Sequence, residues 1–175
     1  MIRAALISQC GAYRYKLSRI WDITVPSLRF VMLNPSTADA NLDDPTIRRC
    51  IGFGRREGYG GIEVLNLYGY RATKPAALRE AADPIGPDNE TYLDHLGAWT
   101  ARVGIPIVLA WGVHGGERGL YVARRLARLG ADLRCLGLSR DGHPKHPLYL
   151  PTSAPLEPVE VRFEEGQFVS RDAAP

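Results

Sequence analysis

Apolar and polar positions follow one another along the chain in a recurring order. Residues 10–25 (CGAYRYKLSRIWDITV) alternate aromatic and polar side chains, the period of one or two short strands with a single covered face. LRFVML (28–33) is a compact apolar run that halts at Asn34-Pro35, as a buried strand stopped by proline does. Asp44-Pro45-Thr46 then opens a helix with proline in its first turn. Ile47, Cys50, Ile51 and Gly54 recur at helical spacing, and the glycines from Gly58 onward end that helix. GIEVLNLYGY (61–70) predicts a second buried strand, 76–82 a short helix, and Pro87-Asp88-Asn89 the start of another helix running to about Arg102. IPIVLAWG (105–112) is a third strand. Leu120, Ala123, Ala127 and Gly130 mark one helix face, and LRCLGL (133–138) is a fourth strand. VEVRFEEGQFV (159–169) alternates about a glycine turn and reads as an added edge strand or small hairpin, placed beside residues 10–25.

Strands that alternate with helices at this spacing argue for a parallel sheet covered on both faces. The expected fold is α/β: a three-layer α/β/α sandwich with a four-stranded parallel sheet and short edge strands at the N- and C-termini. The length of 175 residues suits one domain, with a core over about 26–150 and a C-terminal extension over 151–175. A hydrophobic share of 45% and a charged share of 23% exclude disorder as the dominant state. No apolar run is long enough for a membrane span, and the N-terminal apolar stretch is too short for a signal peptide. Cys10, Cys50 and Cys135 are odd in number and scattered, which fits neither a disulfide framework nor a zinc knuckle and predicts a reducing, cytoplasmic setting. The net charge is +3, but seven basic residues fall between Arg118 and Lys145, against Asp132 and Asp141. Such a stretch is either a solvated helix face or a phosphate-facing surface.

In open parallel sheets, ligands bind beyond the carboxyl ends of the strands. The first strand ends at Asn34-Pro35-Ser36-Thr37-Ala38-Asp39, and the second carries Asn66 within an apolar run, followed by Tyr68, Tyr70 and Arg71. The third ends at Trp111-Gly112-Val113-His114, and the fourth leads into GHPKHPLY (142–149). Each segment also has a structural reading: a turn asparagine, a satisfied buried amide, a rigid connection. Their convergence on one rim is what points to a site. A buried asparagine needs partners for both halves of its amide, and a nucleobase edge offers donor and acceptor together. There is no Walker loop, no Gly-x-Gly-x-x-Gly and no Gly-x-Ser-x-Gly, so no cofactor is expected. His143-Pro-Lys-His146 is interrupted by proline and does not make a helical zinc motif, so no metal is expected either.

The segments LNPSTAD (33–39), DDPTIRRC (43–50), NLYGYRA (66–72), DPIGPDN (83–89), AWG (110–112) and GHPKHPLYL (142–150) resemble the hallmarks of an uncharacterised bacterial and phage domain family. Their order is also similar to that of the uracil-DNA glycosylase superfamily, parallel α/β/α sandwiches that release bases from DNA. Val-Met-Leu-Asn-Pro-Ser (31–36) resembles the loop that positions the attacking water, with Asn34 in the water place. Val-Leu-Asn-Leu (64–67) resembles the base-reading strand, with Asn66 in that place. His143-Pro144-Lys145-His146-Pro147-Leu148 is similar to the groove-entering His-Pro-Ser-Pro-Leu segment but one residue longer, so either His143 or His146 can take the catalytic place. Ser36 stands where the first loop carries a small glycine, and the iron–sulfur ligands of some members are not recognisable. The resemblance implies a monomeric DNA glycosylase of base-excision repair. Asn34, or Asp39 if a charge is required, orients water, and a histidine assists the leaving base. Asn66 then reads the base edge, Tyr68 or Tyr70 stacks on it, and Ser36, Arg71, Arg140 and Lys145 meet phosphates. A nucleic-acid or nucleotide sensor, and a hydrolase of free nucleotides, are the alternatives on the same fold.

Overall fold

A computed structural model describes residues 1–36, 38–162 and 164–171. Its frame is one mixed sheet in which strands β1 (Ile2–Ile7), β2 (Arg14–Ile20), β3 (Ser27–Met32), β4 (Gly61–Asn66), β5 (Ile107–Leu109), β6 (Leu133–Cys135), β7 (Glu157–Arg162) and β8 (Gln167–Ser170) lie in the order β1-β2-β4-β3-β5-β6-β7-β8. The predicted buried runs form its centre. β3 pairs in parallel with β4 and with β5, and β5 with β6. β2 and β7 flank this centre in antiparallel sense.

The sheet is therefore eight-stranded and mixed rather than four-stranded with short trimmings. β1 lies ahead of the alternating stretch from which terminal strands were expected. The C-terminal hairpin β7–β8 joins β6, at the edge opposite β1 and β2, and not beside residues 10–25. The reason is that β2 already occupies the free side of β4 and is itself covered by β1. The third and fourth strands are shorter than their apolar runs. Pro106 has no N–H to give a ladder, and Gly112 and Gly137 adopt φ of 75° and 96°, which turn the chain out of the sheet.

Helices close both faces. α1 (Pro45–Arg56) presents Ile47, Cys50 and Phe53 to Phe30, Met32, Ile62 and Val64. The pair α3 (Asn89–Val103) and α4 (Gly116–Arg128) presents Leu93, Leu96, Val122 and Leu126 to Val31, Leu65, Ile107 and Leu109. The short α2 (Pro75–Glu80) adds Leu78 to that second layer. Alternate residues of β3 thus feed opposite layers, as the pleat requires. Cys50 and Cys135 are buried free thiols within these layers, and Cys10 is exposed. Among the described residues, no helix is long and apolar enough to cross a membrane.

The basic stretch divides. Arg118 pairs with Glu90, Arg125 with both Glu90 and Asp94, and Arg134 with Asp132. These cations tie α4 to α3 or brace the entry to β6, whereas Arg140 and Lys145 lie exposed on the loop that follows.

Candidate active site

The carboxyl ends of β3, β4 and β5 open into a cleft of about 680 Å³. Asn34, Ser36, Asn66, His143, Lys145 and His146 all line it. Four segments far apart in sequence therefore meet at one sheet rim, as the parallel centre demands of strand ends that point the same way.

Asn34 sits just past β3, and its amide orientation follows from its neighbours. Nδ2 donates to Ala72 O at 2.7 Å and to Pro35 O at 3.0 Å. Two carbonyls on one edge identify that edge as the NH₂ group. Oδ1 is left as an acceptor with no donor among the described residues. The loop is held against the segment after β4, with Leu67 N donating to Met32 O, Tyr68 N to Leu33 O and Ala72 N to Pro35 O.

Asn66 closes the floor at 1% exposure, and its Nδ2 finds no acceptor among the described residues. A buried N–H without a partner is uncommon and calls for a ligand, a water or a function. Its backbone is fixed. Asn89, at the start of α3, donates from Nδ2 to Asn66 O at 3.0 Å and to Leu67 O at 3.1 Å. Arg118 donates to Leu67 O from two nitrogens.

The loop after β6 carries the histidines. Ser139 N donates to His143 O at 2.8 Å, and His143 N returns a bond to Ser139 Oγ at 3.0 Å. Gly112 N donates to Pro144 O, which ties this loop to the turn after β5. His146 Nδ1 accepts from Leu148 N at 3.3 Å, so in the neutral ring Nε2 carries the proton. Burial pulls the His146 pKa below the ordinary imidazole value, and the carboxylate of Asp44 opposes the shift. A neutral ring with one fixed donor is the result. Tyr149, 82% exposed, stands at the mouth with its ring 5.8 Å from that of His146. Arg49 of α1 holds the turn beneath it by donating to Pro147 O and Leu150 O.

Several expected residues lie elsewhere. The Asp39 carboxylate accepts from Asn41 N at 2.7 Å and Leu42 N at 3.0 Å, which hold its pKa below the usual carboxylate range, and it does not line the cleft. Tyr68 packs on the core, as does Tyr70, whose ring meets Tyr13 edge-on at 6.0 Å. Neither tyrosine borders the cleft. Arg71 is spent on Gly11 O. Arg140 borders a neighbouring groove that shares His143 with the cleft.

Two charged lining residues were not singled out from the sequence as part of a site. Asp44 caps α1, accepting from Ile47 N at 2.8 Å, and lines the cleft as well. Its position just before proline marked it only as a helix start. Arg14 is 2% exposed in the cleft wall, its guanidinium gives one bond to Ala38 O, and its Nε has no partner among the described residues. Burial lowers its pKa to about 10, which keeps the guanidinium charged at neutral pH. Among the described residues, no three His, Cys, Asp or Glu side chains gather as metal ligands would.

A mixed α/β protein with an amide- and imidazole-lined cleft at its strand ends is the class these features define. The chain belongs to the family described as "Protein of unknown function (DUF1643)", whose model matches residues 14–148, a span that runs from the buried Arg14 to the turn bearing His146. Neither a curated protein nor a solved structure matches it.

Proposed function

We propose that the chain hydrolyses the N-glycosidic bond of a modified or damaged base in DNA, on a fold of the uracil-DNA glycosylase kind. The observation that carries this reading is the unpartnered Asn66 amide at the floor of a cleft whose rim holds Asn34 and His146. The parallel centre of the sheet, its two helical layers and the order of the strand-end motifs support the fold assignment.

Breaking the bond leaves positive charge on the sugar and negative charge on the departing base. Asn34 Oδ1 holds a water by its lone pair, and a cation-like sugar needs orientation of that water more than strong basicity. His146 donates from Nε2 to the base as charge builds on it. Asn66 reads the edge of the extruded base, and its buried amide penalises a base that cannot answer it. Ser36 and Lys145 meet backbone phosphates at the rim.

The deciding experiment incubates the protein with single- and double-stranded oligonucleotides bearing a panel of deaminated, oxidised and alkylated bases, and scores alkali-labile abasic sites. Release of one base class supports the reading. DNA binding without release selects the sensor, and stabilisation by free nucleotides alone selects a small-molecule site.

A further inference from the structure

Among the described residues, three orphan donors occupy the buried wall of the same cleft: Asn66 Nδ2, Arg14 Nε and Trp111 Nε1. The first two sit on side chains 1% and 2% exposed. Both are N–H groups, so what they lack is a lone pair. One belongs to a cation. A buried guanidinium with an unfilled N–H is an expensive arrangement in a protein that has no use for it. Asp44 and Asp39 are the acidic groups whose fields reach Arg14, and Arg71 and Arg19 oppose them. Among the described residues none of these makes a hydrogen bond to the Arg14 guanidinium, whose one bond is to Ala38 O.

Under the proposed function the phosphates of a DNA strand stay at the mouth, where Lys145 is exposed, and only the extruded heterocycle reaches the floor. We propose that Arg14 and Asn66 form a donor pair for the oxygen-bearing edge of the base, and that Arg14 is a catalytic residue that takes up the negative charge of the base as it leaves. This rests on the reading of the cleft as a glycosidic-hydrolysis site. The C1′–N bond breaks with its electron pair passing to the base nitrogen and spreading onto a ring carbonyl oxygen. The water oxygen bonds to C1′ and releases one proton to solvent. The base anion sits against Arg14 until it takes a proton from solvent. The substrate class that follows is a base acidic enough to leave as an anion and carrying a carbonyl beside the bond.

Calorimetric binding of free bases tests this without turnover. The probes are uracil and 5-nitrouracil, which have similar shape but very different acidity. Wild-type protein is expected to bind 5-nitrouracil at least about tenfold tighter than uracil near neutral pH, and Arg14→Gln to reduce that ratio to within about twofold. If Arg14→Gln does not fold, the wild-type preference is followed between about pH 5 and about pH 8, and must grow as the nitro base ionises. Equal affinity for the two probes, a preference that survives in folded Arg14→Gln, or binding of neither probe overturns the proposal. Arg14-dependent binding of 5-nitrouracil without base release from any oligonucleotide keeps the anion site and discards glycosidic hydrolysis.

Discussion

Asn34 and Asn66 carry the same amide in opposite states of commitment, and this separates their expected phenotypes. In Asn34 the donor half is consumed by Ala72 O and Pro35 O, and only the acceptor is free for a water. Asn34→Ala is therefore expected to lower the single-turnover excision rate by at least about 10²-fold while DNA affinity changes little, the mark of a group that acts mainly in the transition state. In Asn66 the donor half has no acceptor among the described residues, and under the proposed function it meets the base in the bound state too. Asn66→Ala is expected to erode the preference among bases, read as the ratio of kcat/KM values. His146 adds a pH signature. Its folded-state pKa is depressed by burial, so the unfolded chain binds the proton more readily. Stability then falls as pH drops through the ordinary imidazole value of about 6.5, and levels off once the lowered native value is passed. His146→Gln should flatten that part of a plot of unfolding free energy against pH, and an unaltered plot would mean the ring is not held neutral.

At the scale of elements, the site is built on strand ends and stapled by a strand the sequence did not connect with it. Six of the expected residues meet in one cleft because they follow parallel strands, whose apolar runs and terminal polar residues are legible one segment at a time. Arg14 and Arg19 were not legible. A period-2 strand would turn residues five apart to opposite faces. In β2 the register shifts, with Leu6 opposite Lys16 and Ile7 opposite Arg14, so Tyr15 has no counterpart and the phase changes. Both arginines consequently reach the loop between β3 and α1. Arg14 holds Ala38 O, while Arg19, wholly buried, holds Asp39 O, Leu42 O and the Asp43 carboxylate. Arg19→Met should cost about 3 kcal/mol, since it leaves the Asp43 carboxylate with only the half-exposed Arg3 and removes the side-chain donor to the Ser18, Asp39 and Leu42 carbonyls. Its effect on excision should follow Asn34 through the loosened loop, with kcat falling more than affinity. The loop after β6 has a different task. Lys145→Ala is expected to reduce the slope of log affinity against log salt by about one, the change for one lost phosphate contact. Arg140→Ala does the same only where the DNA strand continues into the neighbouring groove.

Across the whole molecule, the apolar layer under α3 and α4 meets the site at Trp111. This side chain is 1% exposed, follows β5, lines the cleft, and packs against the start of α4, where a Cβ on Gly119 would come within 2.7 Å of the indole. Its outer edge rests on Phe168 of the C-terminal hairpin, with ring centroids 5.8 Å apart and planes at 61°. Val159 and Val161 of β7 join the same layer, at 2% and 5% exposure. The hairpin was read from sequence as an extension beyond a core ending near residue 150, because a short alternating segment after a proline-rich stretch does not disclose which edge it will pair with. Its place beside β6 makes it a wall of the core and, through Trp111, a support of the cleft. An appendage and a supporting wall differ measurably. Phe168→Ala should destabilise by about 3 kcal/mol as a buried aromatic does, lowering the midpoint of urea unfolding with an unchanged slope. A change within about 0.5 kcal/mol would instead describe a surface residue on a dispensable hairpin. The same substitution should weaken 5-nitrouracil binding less than Arg14→Gln does, because it moves a wall of the cleft and leaves Arg14 and Asn66 in place.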